Sequence, residues 1–116
     1  MTDITIYHNP KCSKSRQTLQ LLRDRGIDPT IVEYLKQPLS PAQIKRLLAM
    51  LKMSPRELLR KKEVEYTALN LANPKLSEGA LIKAMAEHPQ LMERPIVVVG
   101  TRAALGRPPE SVLEIL

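Results

Sequence analysis

Apolar residues along the chain fall first into a strand-like pattern. Ile4-Thr5-Ile6-Tyr7 is a short β-branched and aromatic run that ends in His8-Asn9-Pro10, and it predicts a strand followed by a turn. Ser13 then stands where a helix cap is expected. Leu19 and Leu22 follow three apart, and Gly26 is placed to end a helix at about Arg25. Thr30-Ile31-Val32-Glu33-Tyr34-Leu35 predicts a second strand. The segment between the two strands is long enough for a crossover, which favours parallel pairing.

From about residue 40 to 90 the period changes to that of helices. Ser40-Pro41 supplies a cap and a first-turn proline, and Ile44, Leu47, Leu48 and Leu51 follow at the spacing of one helical stripe. Ser54-Pro55-Arg56-Glu57 has the form of a capping box and predicts a helix running through Leu58 and Leu59 to Arg60. A further helix is expected from Ser77 to about Glu87, with Leu81, Ile82 and Met85 inward. Strands return at Ile96-Val97-Val98-Val99, a continuous apolar run that predicts cover on both faces. Gly100-Thr101-Arg102 reads as a tight turn into Ala103-Ala104-Leu105. Pro109 to Leu116 reads as a closing helix with Val112, Leu113 and Leu116 inward. The order β-α-β, helices, β-β-α predicts an α/β layered domain spanning residues 1–116, with a helical insertion at about 40–90.

A length of 116 residues fits one small domain that buries enough surface to need neither disulfide nor metal. One Cys and two His exclude a disulfide framework and a zinc cluster. No basic start and apolar stretch of a signal peptide opens the chain, and no apolar run approaches the ~20 residues of a membrane span. A cytoplasmic location, where a lone thiol stays reduced, is the expectation, without a membrane partner. The net charge of +6 suits an anionic partner. Three Tyr, no Trp and no Phe offer little for stacking unpaired bases, so nucleic acid is not the expected one.

Cys12 sits where the first strand hands over to the first helix, among Lys11, Lys14 and Arg16, with His8 upstream. Helix N-terminal N–H groups and nearby cations favour thiolate over thiol. An unperturbed thiol of pKa ~8.5 is only about 3 % ionised at pH 7, and a drop of two units, worth ~2.7 kcal/mol, makes it about three-quarters ionised. The plainer reading is a small buried hydrophobe, but the polar neighbours favour a reactive thiol. Cys12-Ser13-Lys14-Ser15 has the spacing of a disulfide oxidoreductase with Ser in the second place, so any redox turnover needs a thiol from another molecule. Ser15 either donates to the thiolate or a bound oxyanion, or simply satisfies first-turn backbone. Arg60, Arg94 and Arg107 lie at predicted element boundaries. Each alone reads as solvated surface. Together with Cys12 they read as a clamp, because a planar guanidinium fork matches a tetrahedral oxyanion.

The stretches Ile4-Thr-Ile-Tyr-His-Asn-Pro-Lys-Cys-Ser-Lys-Ser-Arg16, Glu33-Tyr-Leu35, Leu58-Leu-Arg-Lys61, His88-Pro89, Arg94-Pro-Ile-Val-Val98 and Arg107-Pro108 run through nearly the whole chain. In that order they resemble the glutaredoxin-coupled arsenate reductase family, in its short chromosomal form. The resemblance implies a thioredoxin-like fold with a helical insertion between its halves. It implies that Cys12 is the nucleophile, that His8 and Ser15 activate it, that Arg60, Arg94 and Arg107 bind the oxyanion, and that Pro95 is the fold's cis-proline beside the thiol. It further implies arsenate or a similar small oxyanion as substrate, glutathione as co-substrate, glutaredoxin as partner, no bound cofactor or metal, and a monomer. Two alternatives share the fold and the Cys-x-x-Ser spacing: a glutathione-dependent thiol-disulfide oxidoreductase and a redox-sensing regulatory protein.

Overall fold

The computed structural model describes residues 3–116. Two compact units divide the chain: the residues up to Gln37 together with Arg94–Leu116, and the segment Pro38–Glu93.

The first unit is built on a four-stranded sheet. β1 (Ile4–Tyr7) and β2 (Thr30–Val32) pair in parallel with Ile6 opposite Ile31, and α1 (Ser13–Asp24) is the crossover between them. β3 (Ile96–Val99) runs antiparallel along the other side of β1, with Val97 opposite Ile6. β4 (Arg102–Leu105) closes the order β2-β1-β3-β4. The β3–β4 connection is two residues, and Gly100 adopts a positive φ of 62° there, which costs glycine nothing. One cluster of Ile6, Leu19, Leu22, Val97 and Val112 forms the core. Each such side chain contributes ~1.5–3 kcal/mol by leaving water. α1 ends as its sequence predicts. Gly26 at φ 76° lets its N–H reach the Arg23 carbonyl and the Ile27 N–H reach that of Leu22, while Ile27 packs beside Leu22.

Four expectations change in this unit. Cys12, rather than Ser13, is the residue that caps α1. The second strand stops at Val32 because the Glu33 carbonyl turns to accept from the N–H groups of Lys36 and Gln37, both at 2.9 Å. The apolar run of β3 is covered on both faces only at Ile96 and Val97. Finally, Pro109–Ile115 is a 3₁₀ helix. At three residues per turn Val112 and Ile115 share a face, so these two meet the core while Leu113 and Leu116 stay exposed.

The second unit is helical. α2 (Pro41–Leu51) begins in a full capping box, with Gln43 N–H on Ser40 Oγ and Ser40 N–H on Gln43 Oε1, and it buries Ile44, Leu47 and Leu48. α3 (Pro55–Leu58) repeats the box with Ser54 and Glu57. It does not reach Arg60. Leu59 leaves the helix in an extended conformation and bridges Met92, while Arg60 N–H bonds the Leu91 carbonyl at 2.7 Å and Glu93 N–H bonds that of Leu58 at 2.9 Å. α4 (Val64–Ala68) carries no apolar stripe to announce it, and none of its residues is fully buried. α5 (Glu78–Glu87) is capped by Ser77 and buries Leu81, Ala84 and Met85, with Ile82 half-buried. A 3₁₀ turn at Pro89–Leu91 leads back to the Leu59–Met92 bridge. No helix among the described residues is long and apolar enough to cross a membrane.

Candidate active site

The loop between β1 and α1 is tied almost entirely by Asn9. Its carbonyl accepts the Cys12 N–H at 3.0 Å, its Oδ1 accepts the Lys11 N–H at 3.0 Å, and its own N–H donates to Ser15 Oγ at 3.2 Å. Arg16 adds a bond from Nη1 to the Pro10 carbonyl. Cys12 is thereby held half-buried at the start of α1. Burial alone would raise its pKa. The backbone N–H of Ser15, the guanidinium of Arg94 and the backbone N–H of Lys14 outweigh that and hold the thiol below its ordinary value. Sγ closes no capping hydrogen bond of normal geometry, so the two N–H groups act as oriented dipoles at the helix start. Ser15 thus faces the sulfur with its backbone, while its buried hydroxyl serves Asn9.

Arg94 and Arg107 are joined to each other. Arg107 Nη1 donates to the Arg94 carbonyl at 3.1 Å, and the Gly106 N–H donates to the Pro95 carbonyl at 2.9 Å. The Arg94–Pro95 and Arg107–Pro108 peptides are both cis. Gly106 fits where no side chain can. A Cβ there would lie 2.5 Å from Thr18 Oγ1 and 2.7 Å from Pro95 Cγ, so the arginine-bearing segments close on α1 only because residue 106 is glycine. The motif reading did not single out Asn9, Thr18 or Gly106. The Asn-Pro turn before the cysteine was the visible cue for the first.

His8 lies at the end of β1, 5 % exposed, with Nδ1 lacking a partner among the described residues. Burial lowers its pKa, Glu33 opposes that, and Arg23 and Arg16 add to it, so the imidazole is neutral at neutral pH. It therefore brings no positive charge to the site there. Arg60 belongs to the second unit, where Nε donates to Glu63 and Nη1 to Glu93. The same unit has an open groove of about 480 Å³, lined mainly by apolar side chains including Leu48, Met53 and Ile82, with Lys45 and Glu78 as its charged residues. Among the described residues no group of three or more His, Cys, Asp or Glu could hold a metal ion.

The sequence pattern of the ArsC family matches residues 7–115. The chain belongs to the ArsC family. Relatives of this family member include the arsenate reductase of Haemophilus influenzae, 48 % identical over 97 % of this chain and 98 % of its own length. A protein of Escherichia coli K12 named "Uncharacterized protein YfgD" is 56 % identical over 97 % and 96 %. The solved structure of an arsenate reductase from Vibrio cholerae matches this ArsC chain with a TM-score of 0.97 at 52 % identity, covering 99 % of this chain and 98 % of that one. The fold is thus the thioredoxin-like fold of ArsC proteins.

Proposed function

We propose that the protein is an arsenate reductase that uses Cys12 as its nucleophile. The observation that carries this reading is the thiol at the start of α1, with its pKa lowered and the Arg94 guanidinium directed at it. A site that stabilises negative charge on sulfur also attracts a small oxyanion, since both charges meet the same helix N-terminus and the same fork of donors.

In the proposed reaction the Cys12 thiolate attacks arsenic, and an oxygen of arsenate leaves as water or hydroxide. The glutathione thiol then displaces a second oxygen of the adduct, which leaves as water, so that arsenic carries both the Cys12 and the glutathione sulfur. Glutaredoxin attacks the glutathione sulfur, the new S–S bond leaves with glutaredoxin, and the electron pair of the As–S bond stays on arsenic, taking As(V) to As(III). Hydrolysis releases arsenite and restores the thiolate. Arg94 and Arg107 hold oxygens of the substrate, and Arg60 is assigned the same task on its motif. The chain's one cysteine supports the use of external thiols, because it leaves no second internal thiol to resolve the adduct.

Arsenate-dependent oxidation of NADPH in an assay coupled through glutathione, glutaredoxin and glutathione reductase tests the proposal. Turnover that is absent in the wild type, or that survives Cys12→Ser, would overturn it. Reduction of a glutathione mixed disulfide without arsenate, unaffected by Arg94→Ala and Arg107→Ala, would instead indicate a thiol-disulfide oxidoreductase.

A further inference from the structure

The buried face of α1 opens with two hydroxyls. Ser15 and Thr18 precede Leu22 along it, and both polar side chains are fully enclosed. Ser15 serves the Asn9 N–H, whereas nothing in the proposed reaction uses Thr18. Thr18 Oγ1 donates to the Lys14 carbonyl of its own helix at 2.8 Å, and the Gly106 carbonyl lies farther off, at 3.5 Å. A hydroxyl has one proton to give, and the nearer acceptor takes it. Toward Gly106 the side chain is therefore chiefly a contact surface.

That contact is close. A Cβ at residue 106 would stand 2.5 Å from Thr18 Oγ1 and 3.1 Å from its Cγ2. Gly106 does not have a positive φ, so glycine is required there for room and not for backbone freedom. Its other contacts lead to the partner of the thiol. The Gly106 N–H bonds the Pro95 carbonyl at 2.9 Å, and the next residue, Arg107, reaches the Arg94 carbonyl with Nη1 at 3.1 Å. The Arg94 guanidinium in turn is directed at Cys12, the residue that caps α1. A ring thus closes from Cys12 along α1 to Thr18, across to Gly106, on to Arg94 and back to the sulfur. Close-packed interiors transmit a change of side-chain size to their neighbours, so the size of residue 18 is felt around this ring.

We propose that Thr18 is a positioning residue: its contact with Gly106 sets where the Arg94 and Arg107 segments stand relative to Cys12. The proposal rests on the reading of Cys12 as the nucleophile. Thr18 acts through Arg94, by the shape of its branched side chain and not by its hydroxyl.

The test reads alkylation of Cys12 by iodoacetamide against pH in the full chain, together with arsenate turnover in the coupled assay. Thr18→Ala deletes both atoms that meet Gly106. The midpoint of the alkylation profile is expected to rise by about half a pH unit, a roughly threefold weaker ionisation, with kcat/KM lowered about three- to tenfold. Thr18→Val keeps the branched shape without the hydroxyl and should match the wild type in both readouts. Gly106→Ala forces the segments off the helix and should raise the midpoint further than Thr18→Ala does. Thermal unfolding checks that each variant is folded at the assay temperature, and Thr18→Ala decides the matter if Gly106→Ala is not. A drop in thermal stability of Thr18→Ala with an unmoved midpoint overturns the proposal, since a merely structural contact would behave in that way. A midpoint that rises as much in Thr18→Val as in Thr18→Ala overturns it too, as does an unmoved midpoint in folded Gly106→Ala. Absence of arsenate turnover in the wild type would remove the reductase reading and leave the alkylation profiles to decide the role of Thr18.

Discussion

Arg94 and Arg60 each stand beside an extended segment, Arg94 two residues before β3 and Arg60 directly after the Leu59–Met92 bridge, yet they face opposite kinds of partner. Arg94 is directed at a thiol that can gain a charge, and Arg60 lies between two groups that already carry one. The same side chain is therefore a lever on ionisation in one unit and a tie in the other. Residue type and position at an element boundary do not distinguish these roles. Only the neighbours do.

The comparison can be broken most severely at the thiol itself. Cys12→Ser is expected to lower arsenate turnover by roughly a thousandfold or more, because a serine hydroxyl is not ionised near neutral pH; the coupled assay reads it. Next comes Arg94→Ala, which should raise the Cys12 pKa and reduce kcat/KM by about 10–100-fold. The pH profile of alkylation by iodoacetamide separates the two effects. In the wild type the lowered pKa keeps the fast, thiolate-dependent rate down to a pH below that of an ordinary thiol, and the rate falls as pH drops through it. In Arg94→Ala this fall should move to higher pH, and in Arg94→Lys part of the way. An unmoved profile would dissolve the contrast with Arg60.

Smaller effects sharpen the other side. Arg60→Ala leaves Glu63 and Glu93 without their shared cation, and a loss of about 1 kcal/mol in urea unfolding at neutral pH is expected for partly exposed pairs. Ser54→Ala, which removes the cap of the short helix leading to Leu59 and Arg60, should cost a little less, about 0.5–1 kcal/mol. The companion Glu57 carboxyl is held below its usual range by the Ser54 N–H and hydroxyl. The box is accordingly intact at neutral pH and loses its contribution only as pH falls through that lowered pKa.

Elements with a strong local signal were legible in the sequence. β1, α2 with its Ser40 cap and first-turn Pro41, and α5 behind Ser77 follow from a β-branched run, caps and stripes that act over a few residues. Misplaced boundaries share a different cause. Thr30 to Leu35 reads as one strand by side chains, but Tyr34 is buried in a turn set by the Glu33 carbonyl, and side-chain patterning cannot show a carbonyl's partner. The helix expected to end at Arg60 gives way to a bridge with Met92, a contact 33 residues away that no local pattern reports. Among the candidate residues, the cysteine and the arginines were visible as residue types. The inner partners of Asn9, the hydroxyl role of Ser15, the neutral state of His8 and the two carboxylates on Arg60 were not, because each depends on burial or on residues distant in sequence.

Asn9 carries the loop under Cys12 with three backbone contacts, and the residue after it is Pro10. Asparagine usually ages by attack of the following backbone nitrogen on the side-chain amide, closing a succinimide ring. Proline has no N–H to give up, so that ring cannot form at Asn9. The amide that holds the loop under Cys12 is thus closed to deamidation through a succinimide, protected by its neighbour in the chain as well as by burial.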